Sequence, residues 1–253
     1  MKDQRHLLCL ALFALNLSGC DRPGASAVPL TSSRVPPVLL FNGTGTSPND
    51  VAAIETLLEE SRISYSTASS AQLDEMSAAR LRAYHLIIIP GGDFTGIGNG
   101  LRKDTAAKLR EAVQYGVSYL GICAGAFFAG RSPYNGLNLT SGVQFGFYSA
   151  EGRGVRKAAV PVSGAGTPTL DQYWEDGPQL TGWGTVVGRY PDGTPAVVQG
   201  QSGDGWIILT GVHAEAPESW RGGMDFTTPA SADHAYAVTL IRSALDRRPL
   251  PHF

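Results

Sequence analysis

Residues 117–125 read Val-Ser-Tyr-Leu-Gly-Ile-Cys-Ala-Gly. The apolar run predicts a buried strand that ends at Ile122, and Cys123 follows it with a glycine two residues away on either side. A nucleophile between a strand and a helix needs a sharp, crowded turn, which such glycines permit. The turn also places the sulfur beside a helix N-terminus, whose partial positive charge favours the thiolate. Taken alone, Gly121–Gly125 fits a helix start packed closely on a strand equally well.

Strands and helices alternate on both sides of this segment. Val38–Phe41 is a short apolar strand, and Leu86–Ile89 is apolar throughout, as strands covered on both faces are. A helix is predicted from about Leu101 to Tyr115 and a last one from about Ala230 to Leu245. The pattern predicts an α/β fold with a doubly wound, mostly parallel, flavodoxin-like sheet and helices on both faces. From Leu139 to Leu209, short strands and Gly- and Pro-rich turns predict antiparallel or mixed additions at one edge.

The start of the first predicted helix has three recognisable sequence signals. Ser47-Pro48-Asn49-Asp50 provides an N-cap, a proline at the first helical position and an acidic residue in the first turn. Apolar residues then fall on one helical face: Val51, Ile54, Leu57 and Leu58. On these grounds Asp50 is interpreted as a helix-start signal.

The N-terminus has the pattern of an export signal. Lys2 and Arg5 precede an apolar run too short to span a bilayer, and small residues lead to Leu17-Ser18-Gly19-Cys20. We therefore predict that residues 1–20 are a signal peptide with a bacterial lipobox, and that Cys20 is the lipidated first residue of the mature chain. A buried helix beginning at residue 5 is the alternative.

The expected location and domain organisation follow from that signal. Residues 21–37 are rich in Pro, Gly, Ser and Ala, which favours a flexible tether over a second packed helix, and residues 38–253 are predicted to form the domain. We expect an exported lipoprotein, anchored to the membrane on the periplasmic face of the cell envelope. Asp21 resembles an inner-membrane retention signal.

The cysteines and the charged residues indicate which functions the chain can have. The chain has three cysteines. Cys9 leaves with the signal and Cys20 carries lipid, so Cys123 is left without an intrachain partner, which favours a reactive thiol over a buried structural one. The 20 Lys and Arg residues form no basic run in a chain of net charge -2, so no nucleic-acid partner is expected.

Two further segments supply candidate partners for the thiol. A strand near residues 206–212 ends in His213-Ala214-Glu215, and alternate residues at a strand end can face the same way. His213 is then the candidate base and Glu215 the residue that orients it. His85 and His234 are interpreted as structural histidines.

A candidate oxyanion hole lies at the end of the Ile-rich strand. Pro90-Gly91-Gly92-Asp93 stands where ligands gather in open α/β sheets. The backbone N–H groups of Gly92 and Ala124 are the predicted donors to a developing oxyanion.

These motifs resemble those of the class I glutamine amidotransferase-like superfamily. The resemblance rests on Gly-Ile-Cys-Ala-Gly at 121–125, Pro-Gly-Gly-Asp at 90–93 and His-Ala-Glu-Ala-Pro-Glu at 213–218. Within that superfamily, the sequence resembles the amidotransferase-like domain of eukaryotic biotin-protein ligases and of free-standing bacterial proteins. Three segments carry this narrower resemblance: Phe41–Ser47, Cys123–Ala129 and Gln172–Pro178. The resemblance runs from about Val38 to the last helix and implies that fold and a Cys-His-Glu site.

One segment departs from the family pattern. Glu175-Asp176 stands where that pattern leads us to expect Asn-Gly or Gly-Gly, so the ligand need not be shared. We also expect no activation or transfer of biotin, because these 253 residues hold no ligase catalytic half.

Two functions stay open, and a third, a synthase subunit regulated by a partner, depends on a partner that the sequence does not reveal. The first is a thiol-dependent amidohydrolase or amidotransferase-like enzyme of the cell envelope that acts on a small-molecule or peptide carboxamide. The alternative is a non-catalytic, small-ligand-binding or scaffolding lipoprotein that retains the pocket. The predicted ligand contacts are Asn42, Gly91, Asp93, Tyr173 and Trp174, although the aromatic pair fits a core equally well. No cofactor and no metal are expected, and the sequence does not predict a protein partner.

Replacing Cys20 tests the anchor. Cys20→Ala should release the full-length protein from membranes without changing its fold, because the predicted tether separates the anchor from the domain. Detergent phase partitioning measures the release, and circular dichroism checks the fold. A Cys20→Ala protein that stays wholly in the detergent phase would contradict lipid anchoring.

Overall fold

The computed structural model describes residues 35–148, 154 and 156–253, of which Val35–Phe253 belong to one compact unit. The predicted signal peptide, Cys20 and residues 21–34 of the predicted tether lie outside the described residues. Among the residues that are described, no helix is both long and apolar enough to cross a membrane.

The elements alternate along the chain as predicted. The strands are β1 Val38–Phe41, β2 Tyr65–Ala68, β3 Leu86–Ile89, β4 Ser118–Ile122, β5 Gly146–Phe147, β6 Lys157–Gly164, β7 Thr167–Glu175, β8 Pro178–Gln179, β9 Thr185–Arg189, β10 Pro195–Ser202 and β11 Gly205–Thr210. The helices are α1 Pro48–Glu60, α2 Ser70–Glu75, α3 Ala78–Leu81, α4 Phe94–Asn99, α5 Lys103–Gln114, α6 Ala124–Ala129 and α7 Ala230–Asp246.

In the described part of the chain, nine strands form one sheet in the order β2-β1-β3-β4-β11-β10-β9-β6-β7. The first five pair in parallel, and the other four continue the sheet in antiparallel pairing. The predicted α/β class, with antiparallel additions at one edge, is confirmed. The additions end at Ser202 rather than Leu209, because β11 turns back from β10 and pairs in parallel with β4.

The two faces of the sheet bury different sets of helices. In β3, Ile87 and Ile89 face the layer that contains α5 and α6, whereas Leu86 and Ile88 face the layer that contains α1 and α7. All four side chains are buried. A strand covered on both sides has no polar face, which is why β3 lacks the alternation of a surface strand. The helices therefore lie on both faces, as predicted.

The start of α7 carries a buried carboxyl group that provides a pH test of stability. Asp233 is 3% exposed, and the guanidinium of Arg221 lies 3.7 Å away. Burial, opposed by the positive charge of Arg221, raises the pKa of Asp233 to about 7. Because the pKa of an unfolded Asp is about 3.9, folding takes up a proton between these values, and this contribution to stability is lost as pH rises toward 7.

Asp233→Asn should therefore raise the free energy of unfolding relative to wild type more at pH 8 than at pH 5, by about 1 to 2 kcal/mol. Urea unfolding at the two pH values measures the difference. Asp246→Asn, at the exposed end of the same helix, is the matched control and should show no such pH dependence. An equal effect of Asp233→Asn at both pH values would contradict the raised pKa.

Candidate active site

The junction of β4 and α6 is a strained elbow. Cys123, the N-cap of α6, has φ 48° and ψ −104°, which a residue with a side chain rarely adopts. A Cβ on Gly121 would lie 2.6 Å from the carbonyl oxygen of Gly125, and one on Gly125 would lie 2.0 Å from that of Ile89. The Cys123 N–H donates to the Thr210 carbonyl over 2.8 Å, which ties the elbow to β11. The glycines are there because the turn leaves no space for side chains.

The predicted oxyanion donors are available. The Cys123 carbonyl accepts from the N–H groups of Ala126 and Phe127, and the Gly125 N–H donates to Pro90 over 3.2 Å. Within the described residues, neither Gly92 nor Ala124 uses its N–H in a hydrogen bond. Both residues line the same cleft as Cys123. Two uncommitted backbone donors beside a thiol are the arrangement that an oxyanion requires.

His213 and Glu215 follow β11 and contact each other. The Nδ1 of His213 lies 2.8 Å from Oε1 of Glu215, and both residues are buried. The His213 N–H donates to the Tyr173 carbonyl over 2.8 Å, which anchors the backbone at this point. The predicted pairing of the two side chains is therefore present.

A second carboxylate, which the sequence analysis did not assign to the site, contacts the same nitrogen. Oδ1 of Asp50 lies 2.9 Å from Nδ1 of His213, and Asp50 is 6% exposed. Its position in the first turn of α1 was predicted, but its partner was not. The one signal in the sequence was an acidic residue on the buried face of that helix, one position before Val51.

Burial and neighbouring charges both shift the pKa values of Asp50, His213 and Glu215, often in opposite directions. Burial lowers the pKa of His213, but Glu215, Asp50 and Cys123 outweigh it and hold that pKa well above its ordinary value. For Asp50, burial raises the pKa, but His213 and a hydrogen bond from Ser47 bring it below the usual range. For Glu215, burial raises the pKa; His213 opposes it and Asp50 adds to it, so the net shift is upward. The buried carboxyl groups therefore favour the cationic form of the histidine.

The side chains open on a cleft of about 430 Å³. The Sγ of Cys123 lies 3.5 Å from the Glu175 carbonyl oxygen, so the end of β7 forms one wall. The lining residues are Ser47, Asp50, Gly92, Asp93, Phe94, Cys123, Ala124, Phe127, Phe147, Glu175, Asp176 and His213. The thiol, the imidazole and both free N–H groups thus share one space.

The predicted ligand contacts divide between the cleft and other places. Asp93 lines the cleft and caps α4, where its Oδ1 accepts from the Thr95 N–H over 2.9 Å. The Tyr173 hydroxyl donates to Oε2 of Glu175 over 2.6 Å, beside the cleft. Trp174 is wholly buried in the core, and Asn42 is exposed and does not line the cleft. The structure does not bring Trp174 and Asn42 to the cleft as predicted, because both sides of β7 are covered near its end and the first loop leaves Asn42 exposed.

Gly91 was predicted to contact the ligand, but in the structure it packs against the side chains of Asp50 and His213. A Cβ at this position would lie 2.2 Å from Oδ1 of Asp50 and 2.6 Å from Cε1 of His213. The glycine therefore makes room for the contact between these two side chains.

The remaining histidines lie elsewhere. His85 is exposed before β3, and Nε2 of His234 contacts the Ala216 carbonyl oxygen at 3.1 Å. Asp50, His213 and Glu215 offer one nitrogen and two oxygens within 4.8 Å of one another, the kind of atoms that a metal ion accepts. The contacts with Nδ1 of His213 are a hydrogen bond of 2.8 Å with Glu215 and a close ion pair of 2.9 Å with Asp50, and we interpret the group in that way.

A methyl group at Gly125 tests the elbow. Gly125→Ala should lower the free energy of unfolding by about 1 to 3 kcal/mol, because its Cβ overlaps the backbone of β3. Gly222→Ala is the matched control, since a Cβ there meets nothing within 4 Å. Chemical unfolding of both proteins measures the difference. An equally small effect at both positions would contradict the close packing.

Comparison with known proteins agrees with the predicted resemblance. Residues 36–155 match the family described as "Biotin-protein ligase, N terminal". A biotin–protein ligase of Schizosaccharomyces pombe is 26% identical over 159 residues, which cover 51% of this chain and 25% of the ligase. The chain thus spans about a quarter of the length of this curated relative.

Solved structures show the fold. A glutamine amidotransferase from Thermotoga maritima has a TM-score of 0.56 at 15% identity, and the match covers 83% of this chain and 96% of that one. An exo-beta-1,4-mannosidase from Opitutaceae bacterium strain TAV5 has a TM-score of 0.53 at 16% identity, over 81% of this chain and 36% of that one. Since the names of these two proteins differ in activity, the fold does not decide the reaction. The chain is therefore similar in fold to a glutamine amidotransferase, and its residues 36–155 are similar to the N-terminal part of biotin-protein ligases.

Proposed function

We propose that this protein is a thiol-dependent amidohydrolase that cleaves a carboxamide in the cell envelope. The observation that carries the proposal is the shared cleft. Cys123 sits there on a strained elbow, together with His213 and the unengaged N–H groups of Gly92 and Ala124. The predicted export signal supports the envelope as the proposed location, and an envelope amide as the proposed substrate class.

The first half of the reaction is acylation of the thiol. In the reacting form the imidazolium of His213 stands beside the thiolate of Cys123, and the thiolate attacks the amide carbonyl carbon. The carbonyl oxygen becomes an oxyanion that accepts hydrogen bonds from Gly92 and Ala124. The C–N bond then breaks, His213 returns its proton to the leaving nitrogen, and ammonia or an amine departs from a thioester.

The second half is hydrolysis of the thioester. Water gives a proton to His213 and attacks the thioester carbon, and the same two N–H groups hold the second oxyanion. The C–S bond breaks, and the thiolate faces the protonated imidazole again. The sum is one amide and one water converted to one carboxylic acid and one amine, with the protein unchanged.

The burial of His213 supports this assignment over the other histidines. Its Nδ1 is engaged by carboxylates, so Nε2 is the nitrogen left for proton transfer. Its ring is flanked by Tyr173 and Trp220, with centroids 5.7 and 6.1 Å away. Aromatic walls exclude water from the charged group, which strengthens the electrostatic contacts inside.

Replacing the thiol and the histidine tests the proposal. Cys123→Ala and His213→Ala should each reduce turnover about 10³-fold or more, and the double variant should be little worse, because the two residues act in one step. Ammonia release from glutamine and from amidated cell-wall peptides measures turnover. His85→Ala and His234→Ala are the controls and should stay within a few-fold of wild type.

The thiol can also be tested without a substrate. Iodoacetamide should alkylate Cys123 in the folded full-length protein at neutral pH, and His213→Ala should slow the reaction. A thiol that reacts only after unfolding would show a structural cysteine. It would favour the alternative, a ligand-binding lipoprotein.

A further inference from the structure

We infer that Asp50 is a positioning residue of this site, which together with Glu215 keeps His213 in its imidazolium form beside Cys123. The inference deepens the proposed function, on which it rests for the pairing of His213 with the thiol. It changes the expected Cys-His-Glu group into one in which two carboxylates share one histidine.

The contacts of Nδ1 carry the inference. Glu215 lies 2.8 Å from this nitrogen with the geometry of a hydrogen bond, and Asp50 lies 2.9 Å from it as a close ion pair. Glu215 thus fixes the orientation of the ring, and Asp50 adds a second negative charge at the same distance. A cation is favoured by opposite charges so near, and more strongly where water is excluded.

The fold holds Asp50 at this place through the start of α1. The Asp50 N–H donates to Oγ of Ser47 over 3.3 Å, and the Ser47 N–H donates to the Gly91 carbonyl over 2.9 Å. The helix start is therefore fastened to the loop after β3, and Gly91 leaves the space that Asp50 and His213 fill. The first turn of a helix also favours a negative charge. The carboxylate is placed by backbone contacts and not by a flexible side chain.

The groups that face His213 come from four parts of the fold. Asp50 comes from α1, Glu215 from the loop after β11, and Cys123 from the elbow. Tyr173 of β7 offers its backbone carbonyl and the edge of its ring, and Trp220 offers a second ring. None of these groups is a cation. Among these groups, His213 is therefore the one side chain that can carry a positive charge and pair with the two carboxylates.

A His213 that is charged in the resting state changes how the proposed reaction begins. A cationic imidazole beside Cys123 favours attack by the sulfur, and His213 can start the cycle as an acid for the leaving nitrogen. Loss of the imidazolium proton at high pH then ends the reaction. Removing the Asp50 carboxylate should bring that loss to a lower pH, because the charged form loses a partner.

Histidine protonation in the full-length protein tests the inference without a substrate. The ring signals of ¹³C- and ¹⁵N-labelled histidine are followed from pH 5 to 10, and the His213 signal is assigned by its loss in His213→Gln. In wild type we expect the midpoint of His213 to lie well above the ordinary value for histidine, because Glu215 and Asp50 favour the charged form. In Asp50→Asn its midpoint should fall by about 1 pH unit or more.

Asp104→Asn is the matched control, because Asp104 is also a first-turn acid, in α5, and its side chain is 67% exposed. It should leave the His213 titration unchanged. An Asp50→Asn midpoint equal to wild type would overturn the inference. A wild-type His213 that is neutral at pH 7 would overturn it without any Asp50 variant, so the test does not depend on that variant folding.

The histidine titration and the ammonia-release assay can fail independently of each other. If Cys123→Ala keeps full ammonia release while His213 titrates as expected, the amidohydrolase proposal fails and the assignment of Asp50 stands. If His213 titrates at an ordinary pH while Cys123→Ala abolishes ammonia release, the opposite holds.

Discussion

The structure depends on a steric constraint at one junction. Strand β4 must turn into α6 within Cys123, whose backbone is forced to φ 48°. Such strain persists only where the surroundings over-determine it. Here they do, because the glycines on either side pack against backbone, and the Cys123 N–H is bonded to β11. The strain directs the thiol into the cleft and leaves the next N–H without an internal partner.

The parallel pairing of the strands then brings the other residues of the site to one edge of the sheet. The chain leaves β1 toward Asp50, β3 toward Gly92, β4 at Cys123 and β11 toward His213. The carboxyl ends of parallel strands share one edge of a sheet, so segments far apart in sequence meet without long-range steering by side chains. The position of the cleft is thus a consequence of the topology, and its chemistry is a consequence of the side chains after each strand.

The antiparallel edge completes the site in a way that a flat sheet would not allow. Four strand spacings separate β7 from β11 in the sheet order, or about 19 Å at the usual interval. Yet Tyr173 of β7 bonds the His213 backbone, and the Glu175 carbonyl lies 3.5 Å from the thiol. The sheet must curl so that the end of β7 returns to the cleft. It brings Glu175 and Asp176, the two residues that depart from the family pattern, to the wall of the site.

Local sequence patterns were enough to predict four features: the glycines of the elbow, the burial of β3 on both faces, the N-cap of α1 and the pairing of His213 with Glu215. Each depends on residues within a few positions of one another, where sterics and alternation act directly. Tertiary structure alone decided the rest. Trp174 became core because both sides of β7 are covered near its end, and Asp50 became a partner of His213 across 163 residues because α1 is fastened beside the β3 loop. Contacts at such separation follow from the paired sheet, which no local pattern encodes.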